Sequence, residues 1–413
     1  MDKLEELTAL QEEMEKELLE DILPYWNKYS VDYKHGGFVG KVTSDNKKVD
    51  KAEKGGILNA RILWTFSSCY ARYRTWEMKS MAQRAYTYLM SNFWDNEYGG
   101  IYWMLSADGS PADTRKHIYA QAFAIYALCE YASATGEDRA LETAHSLFRQ
   151  IEKVSADKIY GGYYEAFSRQ WEPLEDVRLS EKDINEPKSM NTHLHLLEAY
   201  TNLYRHYQSK EIRQRLEHLL DVFLDHIIRP DGRSLYTFLG MDWTPRSNEI
   251  SFGHDIETSW LLAEAVEALP EYTRKEAVDK ASYDLASSVM KNGVDADGGL
   301  VNEAGPDGWH DLDKDYWPQA EAIVGFFNVY QKTNESMFID AALKTWDFIK
   351  EHVIDKQGGD WWDKVDRSGK PYSIEKIHAW KGPYHHTRAC LEITGRVKEL
   401  TGKNVEKEAP TDN

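Results

Sequence analysis

The stretch Tyr98-Gly99-Gly100-Ile101-Tyr102-Trp103 decides how this chain is read, because it comes back. Before it stands His35-Gly36-Gly37-Phe38, and after it Tyr160-Gly161-Gly162-Tyr163-Tyr164-Glu165. Asp231-Gly232-Arg233-Ser234-Leu235-Tyr236 is a weaker copy, followed by Asp297-Gly298-Gly299-Leu300-Val301-Asn302-Glu303 and Gly358-Gly359-Asp360-Trp361-Trp362-Asp363. Six copies recur at about 60 to 70 residues. That is longer than the common solenoid units of roughly 20 to 50 residues, but the logic of stacked units that share a core still applies.

Between the loops, apolar residues recur at helical spacing. The pattern predicts helices at about 4–27, 56–74, 77–93, 115–134, 137–154, 187–208, 210–228, 254–268, 271–290, 316–333, 336–354 and 383–400. Short links such as Thr135-Gly136 and the stretch around Pro270 join them as antiparallel hairpins. Six hairpins without a polar capping unit at either end satisfy their apolar faces best by closing into a ring. The expected fold is all-α, an (α/α)6 barrel of twelve helices over residues 1–400, with short β-ribbons in the loops on one rim. An open α-solenoid is the alternative architecture. The acidic stretch 401–413 is expected to be a disordered tail.

Composition narrows the function. Hydrophobic residues make up 42% of the 413, enough for a large core. The net charge of −19 opposes nucleic acid or an anionic membrane as partner, since both call for a basic face. The 14 Trp and 25 Tyr suit either an aromatic core or a sugar site, where ring faces pack on C–H faces. Cys69, Cys129 and Cys390 are far apart, without metal-ligand spacing, and read as buried thiols of a reducing compartment. The first helix has no basic region followed by an apolar run, so it is not read as a signal peptide, and no stretch is apolar enough to span a membrane. A cytoplasmic monomer is expected.

The helix after each loop opens on a residue that carries chemistry. These are Arg61, Tyr119, the pair Asn191 and His195, the pair His254 and Glu257, the pair Trp317 and Glu321, and His385. In a closed barrel those ends converge on one pocket. His254 lies in the first turn of its helix, where the dipole disfavours imidazolium and favours a neutral base. Glu257, three residues on, shares its face and is expected to orient His254 through the other ring nitrogen. His193 and His195 point to opposite sides of a helix and cannot share one metal ion. No phosphate-binding Gly loop or nucleophile elbow is present. Two histidines with an Arg and neutral hydrogen-bonding groups suit proton transfer beside a carbonyl: a base removes the C2 proton and fixed positive charge stabilises the enediolate. Bases on both faces invert C2, whereas one base returning the proton to C1 gives a ketose.

Three segments carry a resemblance to a known family. Lys188-Ser189-Met190-Asn191-Thr192-His193-Leu194-His195-Leu196-Leu197-Glu198-Ala199-Tyr200, Ser251-Phe252-Gly253-His254-Asp255-Ile256-Glu257-Thr258-Ser259-Trp260 and Trp380-Lys381-Gly382-Pro383-Tyr384-His385 resemble cellobiose 2-epimerases of the N-acylglucosamine 2-epimerase superfamily. The resemblance extends over nearly the whole chain. It implies an (α/α)6 barrel, no metal or organic cofactor, and reversible epimerisation of the reducing-end glucose of β-1,4-linked disaccharides. Carried over by position, it implies His254 and His385 as the general acid/base pair. It assigns Arg61, Tyr119, Asn191, His195 and Glu257 to the reducing sugar and enediolate, and Trp317 and Trp380 to ring platforms. Asp183 and Glu303 match loop positions near the disaccharide. Superfamily members acting on monosaccharides share the Arg and the two His, so an aldose–ketose isomerase or a 2-epimerase of mannose or N-acetylglucosamine stays open. A glycoside hydrolase on the same barrel, or a sugar-binding barrel without catalysis, are the readings from other classes.

Overall fold

The computed structural model describes residues 3–402. The expected disordered tail therefore lies, apart from its first two residues, outside the described residues. Twelve helical rods follow one another. α1 runs Lys3–Lys16, passes through a π turn at Glu17–Ile22 and continues as Leu23–Tyr29. α2 is Gly56–Tyr73, α3 Trp76–Tyr88 with a terminal π turn at Leu89–Phe93, α4 Ile118–Thr135, α5 Asp138–Val154 and α6 Met190–His206. α7 is Lys210–Val222 with a π turn at Phe223–Ile227, α8 Phe252–Ala268 and α9 Lys275–Asn292. α10 is Tyr316–Thr333, α11 Ser336–Phe348 with a π turn at Ile349–Val353, and α12 Tyr384–Leu400.

The even-numbered helices form the inner ring. Each packs on the next, and α12 returns to α2, while each odd-numbered helix backs an inner one and α1 backs α12. The barrel is closed, not an open solenoid. Side-chain patterning sorts the two rings. In α4 every residue from Ile118 to Cys129 is buried, as for a helix covered on all sides. In the adjoining α5 burial is confined mainly to a stripe of Ala140, Ala144, Leu147, Phe148 and Ile151. The link between them is tight because Gly136 takes φ +77°, with its N–H bonded to Ala132 O at 2.8 Å.

The Gly loops all lead into inner helices. Each makes a small antiparallel bridge: Val31 with Phe38, Trp94 with Ile101, Ala156 with Tyr163, Ile228 with Leu235, Val294 with Leu300, and Ile354 with Trp361. Two- and three-stranded ribbons join neighbouring loops, as when Lys188–Ser189 pairs with Phe238–Leu239. The inner helices α4 and α6 start about three residues later than the spacing predicts, because Lys116–His117 and Lys188–Ser189 are spent in these ribbons.

Two repeated contacts hold the loops. A buried lysine just before the inner helix reaches an aspartate of the preceding loop: Lys54 to Asp32 at 2.8 Å, Lys116 to Asp95 at 3.1 Å, Lys188 to Asp157 at 2.8 Å and Lys314 to Asp297 at 2.6 Å. Lys376 meets Asp355 in a like bond from further upstream of α12. In the weak fourth copy Ile250 stands where the lysine would be, and Arg229 instead donates to Leu235 O and Glu249 O. The second contact comes from the fourth residue of the inner helix, which accepts from a loop N–H. Gln121 serves Ile101, His193 serves Tyr163, Asp255 serves Leu235 and Gln319 serves Leu300. His193 is thus a loop support facing away from the pocket. Among the described residues no helix is long and apolar enough to cross a membrane.

Candidate active site

The first turns of the inner helices meet in one cavity of about 220 Å³. Arg61, Tyr119, Asn191, His195, His254, Glu257, Trp317, Trp380 and His385 all line it, with Tyr316, Asp363, His378 and Lys381 around them. The convergence follows from helix geometry, since side chains four apart share a face. Asn191 and His195 on α6, and Trp317 and Glu321 on α10, are such pairs. Asp183 and Glu303 line a neighbouring cavity whose wall includes Asn191 and His254. Trp380 lies between the central cavity and a third one lined by Trp103 and Arg115.

The two histidines of the expected acid/base pair flank one indole. The Trp317 ring is 4.8 Å from His254 and 5.5 Å from His385, centre to centre. Gly253 makes room for it: a Cβ there would come within 2.5 Å of the Trp317 ring. Each histidine has its Nδ1 engaged. His254 Nδ1 is 2.7 Å from Ser251 Oγ, and His385 Nδ1 is 2.6 Å from Glu321 Oε1. Burial lowers the pKa of His254 to about 3, and the proximity of His195 adds to the effect. Burial, then the positive charges of Arg61 and Arg388, push His385 well below the ordinary value. Both rings are neutral in the free site near pH 7, as a carbon-acid base requires.

The expected bond from Glu257 to His254 is not formed. Glu257 Oε1 accepts from Arg388 at 2.7 Å, and Ser251 takes the place at His254. The i,i+3 spacing puts the two residues on one helix face, but Arg388 on α12 offers the buried carboxyl a cation, which it needs more than it needs an imidazole. Burial and the neighbouring Glu321 raise the Glu257 pKa well above the carboxylate range.

Arg388 is the centre of a buried network. It also donates to Glu321 at 2.6 Å and bonds Glu198 and Tyr384 closely. Glu198 in turn holds His195 Nδ1 at 2.9 Å. Burial alone would raise Glu198, yet Arg388, His195 and Tyr384 more than reverse it and hold its pKa below the usual value. Neither Arg388 nor Glu198 stood out in the sequence as a site residue. The spacing signal existed, since His195–Glu198 and His385–Arg388 repeat the three-residue step of His254–Glu257. Two triads, His195 with Glu198 and Glu257, and Glu257 with Glu321 and His385, bring their ligand atoms within 4.8 Å of one another. Arg388 already places a fixed cation against all three carboxyls, so a divalent ion there would face its repulsion.

Arg61, on α2 beside α12, is 4% exposed. It donates to Tyr119 Oη at 2.9 Å and to Trp380 O, and its guanidinium lies 4.6 Å from the Phe123 ring centre. Its Nε and the Asn191 Oδ1 are buried polar atoms without a partner. A fixed cation, a phenol and an unsatisfied amide in one cavity with two neutral imidazoles can hold and polarise a small polyhydroxy compound and move its protons.

These features define a barrel enzyme of carbohydrate isomerisation. The N-acylglucosamine 2-epimerase (GlcNAc 2-epimerase) family matches residues 36–389 of this chain. The cellobiose 2-epimerase of Bacteroides fragilis is 42% identical over 389 residues, covering 94% of this chain and 99% of the relative. That of Ruminococcus albus is 38% identical over 392 residues, covering 94% and 99%. The solved cellobiose 2-epimerase of Bacillus thermoamylovorans superposes with a TM-score of 0.90 at 38% identity, covering 94% of this chain and 100% of that one. The chain belongs to the N-acylglucosamine 2-epimerase family and, within it, groups with the cellobiose 2-epimerases; it is an isomerase, a carbohydrate 2-epimerase.

Proposed function

We propose that this enzyme reversibly epimerises C2 of the reducing-end glucose of β-1,4-linked disaccharides, taking cellobiose to glucosyl-mannose and lactose to epilactose. The disaccharide preference rests on the relatives named above and on the two further cavities that adjoin the central one. The reducing sugar opens in the central cavity. One imidazole of the His254/His385 pair removes the C2 proton, and the resulting enediolate is held by Arg61, Tyr119 and Asn191. The other imidazole, neutral in the free site and protonated from solvent as the sugar binds, delivers that proton to the opposite face of C2. With the sugar bound, the pair enters the transfer with that one proton and leaves with one proton on the other ring, so the roles exchange in the reverse direction. Trp317 and Trp380 serve as ring platforms, and Asp183 and Glu303 meet the second sugar from the neighbouring cavity.

The observation that carries this reading is the placement of two neutral imidazoles, from α8 and α12, on either side of Trp317 with each Nδ1 already engaged. That leaves both Nε2 atoms for the substrate. The buried free thiols Cys69, Cys129 and Cys390 suit a reducing, cytoplasmic setting, and the enzyme is proposed to act there as a monomer. Purified, chelator-treated enzyme incubated with cellobiose should yield glucosyl-mannose by proton NMR. Free glucose would mean hydrolysis, a ketose as main product would mean isomerisation, and turnover only of mannose or N-acetylglucosamine would move the enzyme to the monosaccharide branch.

A further inference from the structure

Three of the four histidines of the pocket, His195, His254 and His385, are not equivalent in what holds them. His195 Nδ1 meets Glu198 Oε2, and His385 Nδ1 meets Glu321 Oε1. Both carboxylates are saturated with donors. Glu321 also takes Arg388 on Oε1 and the Trp260 indole N–H on Oε2 at 3.0 Å, while Glu198 takes Arg388 and Tyr384 on Oε1. A carboxylate in such surroundings only accepts, so each imidazole must present N–H at Nδ1. In a neutral ring Nε2 is then an unprotonated acceptor. His254 differs, because the Ser251 hydroxyl at its Nδ1 can donate or accept.

We propose that Arg388 is a positioning residue that fixes the tautomers of His195 and His385 through Glu198 and Glu321, so that both turn an unprotonated Nε2 to the sugar, while His254 alone is free to change tautomer. The inference rests on the two-histidine reading for its catalytic meaning. Arg388 touches no part of the cavity directly. Besides the Tyr384 hydroxyl, its hydrogen-bond partners are carboxyls, two of which carry a histidine each. Its guanidinium geometry is what allows one residue to serve three carboxyls from three helices, α6, α8 and α10. Hydrogen bonding at one ring nitrogen decides what the other can do, as for the carboxylate behind a catalytic histidine in serine hydrolases. By this assignment His195 accepts a proton or a hydroxyl hydrogen from the sugar and cannot donate one until it is itself protonated.

The test is nitrogen-15 NMR of histidine-labelled enzyme, with His195 and His385 assigned through His195→Gln and His385→Gln. Wild type near pH 7 should show both rings protonated at Nδ1 and bare at Nε2. Glu198→Gln should blur the tautomer of His195 and leave His385 as it was. Glu321→Gln should do the reverse and lower kcat about 100-fold or more with KM little changed, as when a catalytic histidine loses its orienting carboxylate. Arg388→Lys keeps the charge but not the fork, and should disturb both rings; Arg388→Met, which strands three buried carboxyls, serves only as a folding control. An unprotonated Nδ1 on either ring in wild type overturns the assignment. So do variants that lose melting temperature but keep wild-type tautomers and kcat, since that is what a purely structural hub gives. A wild type with both tautomers as described but without epimerase activity supports this inference and sinks the functional reading instead.

Discussion

Two sets of buried ion pairs meet in this barrel, one on the loop rim and one below the pocket floor. On the rim a lysine and an aspartate recur in five of the six copies, from Lys54–Asp32 to Lys376–Asp355. On the floor a single arginine, Arg388, gathers Glu198, Glu257 and Glu321 from three different helices. The rim pairs repeat with the fold and serve the fold. The floor cluster gathers its three carboxyls on one cation, and two of them carry a pocket histidine. The copy that lacks the lysine is the fourth, where Ile250 precedes Ser251 and His254. Repetition marks scaffold, while the candidate site rests on a cluster that draws on several helices at once.

The largest effects are expected at the histidines. His254→Ala and His385→Ala should each cut turnover by about a thousandfold or more, the scale of lost acid/base catalysis, while substrate still perturbs tryptophan fluorescence. Substantial turnover in either variant would remove that histidine from the pair. Next in size is the rim. Lys116→Met leaves the fully buried Asp95 with only Arg169 as a cationic partner and should cost about 3 kcal/mol of stability in denaturant titration, with kcat per folded molecule near wild type. A variant that kept its stability but lost kcat would reverse the assignment of scaffold and site. Trp380→Ala should weaken kcat/KM for cellobiose by about 1 kcal/mol, as for one lost aromatic face, and affect a monosaccharide no more than the disaccharide. The smallest change is expected from His193→Gln, which copies the residue found at the equivalent positions 121 and 319. Burial lowers the His193 pKa to about 3, against an ordinary value of 6.5. The unfolded chain therefore binds a proton there that the folded chain refuses, and stability is lost as pH falls from 6.5 toward 3. The Gln variant should match wild type in melting temperature at pH 8 and exceed it at pH 5; an equal loss at both values would contradict the sign.

Much of this was legible before the fold. The Gly loops repeat because each must make the same turn, and the inner helices read as apolar because they are covered on all sides, so the ring followed. Residues at the helix starts were legible because chemistry-bearing side chains at one end of six helices have a common destination. Arg388 and Glu198 were not. Arg388 sits one turn and Glu198 two turns inside an inner helix, where a lone charge looks like any other, and the bond that joins them crosses the barrel, where sequence spacing carries no information. For the same reason the local pairing of Glu257 with His254 looked sound and gave way to a partner 131 residues away. His193 was separable from His195 by helix geometry alone, though its bond to Tyr163 N–H needed the fold.

The claim that two histidines work on opposite faces of C2 is tested most directly by one short incubation with cellobiose in D2O, stopped at a few per cent conversion. Transfer between two bases puts solvent deuterium at C2 of nearly every glucosyl-mannose formed, while recovered cellobiose still carries protium at that carbon. Epimer that retains the original C2 proton in a large fraction of molecules would mean that one base moves it across, and the two-histidine account would fall.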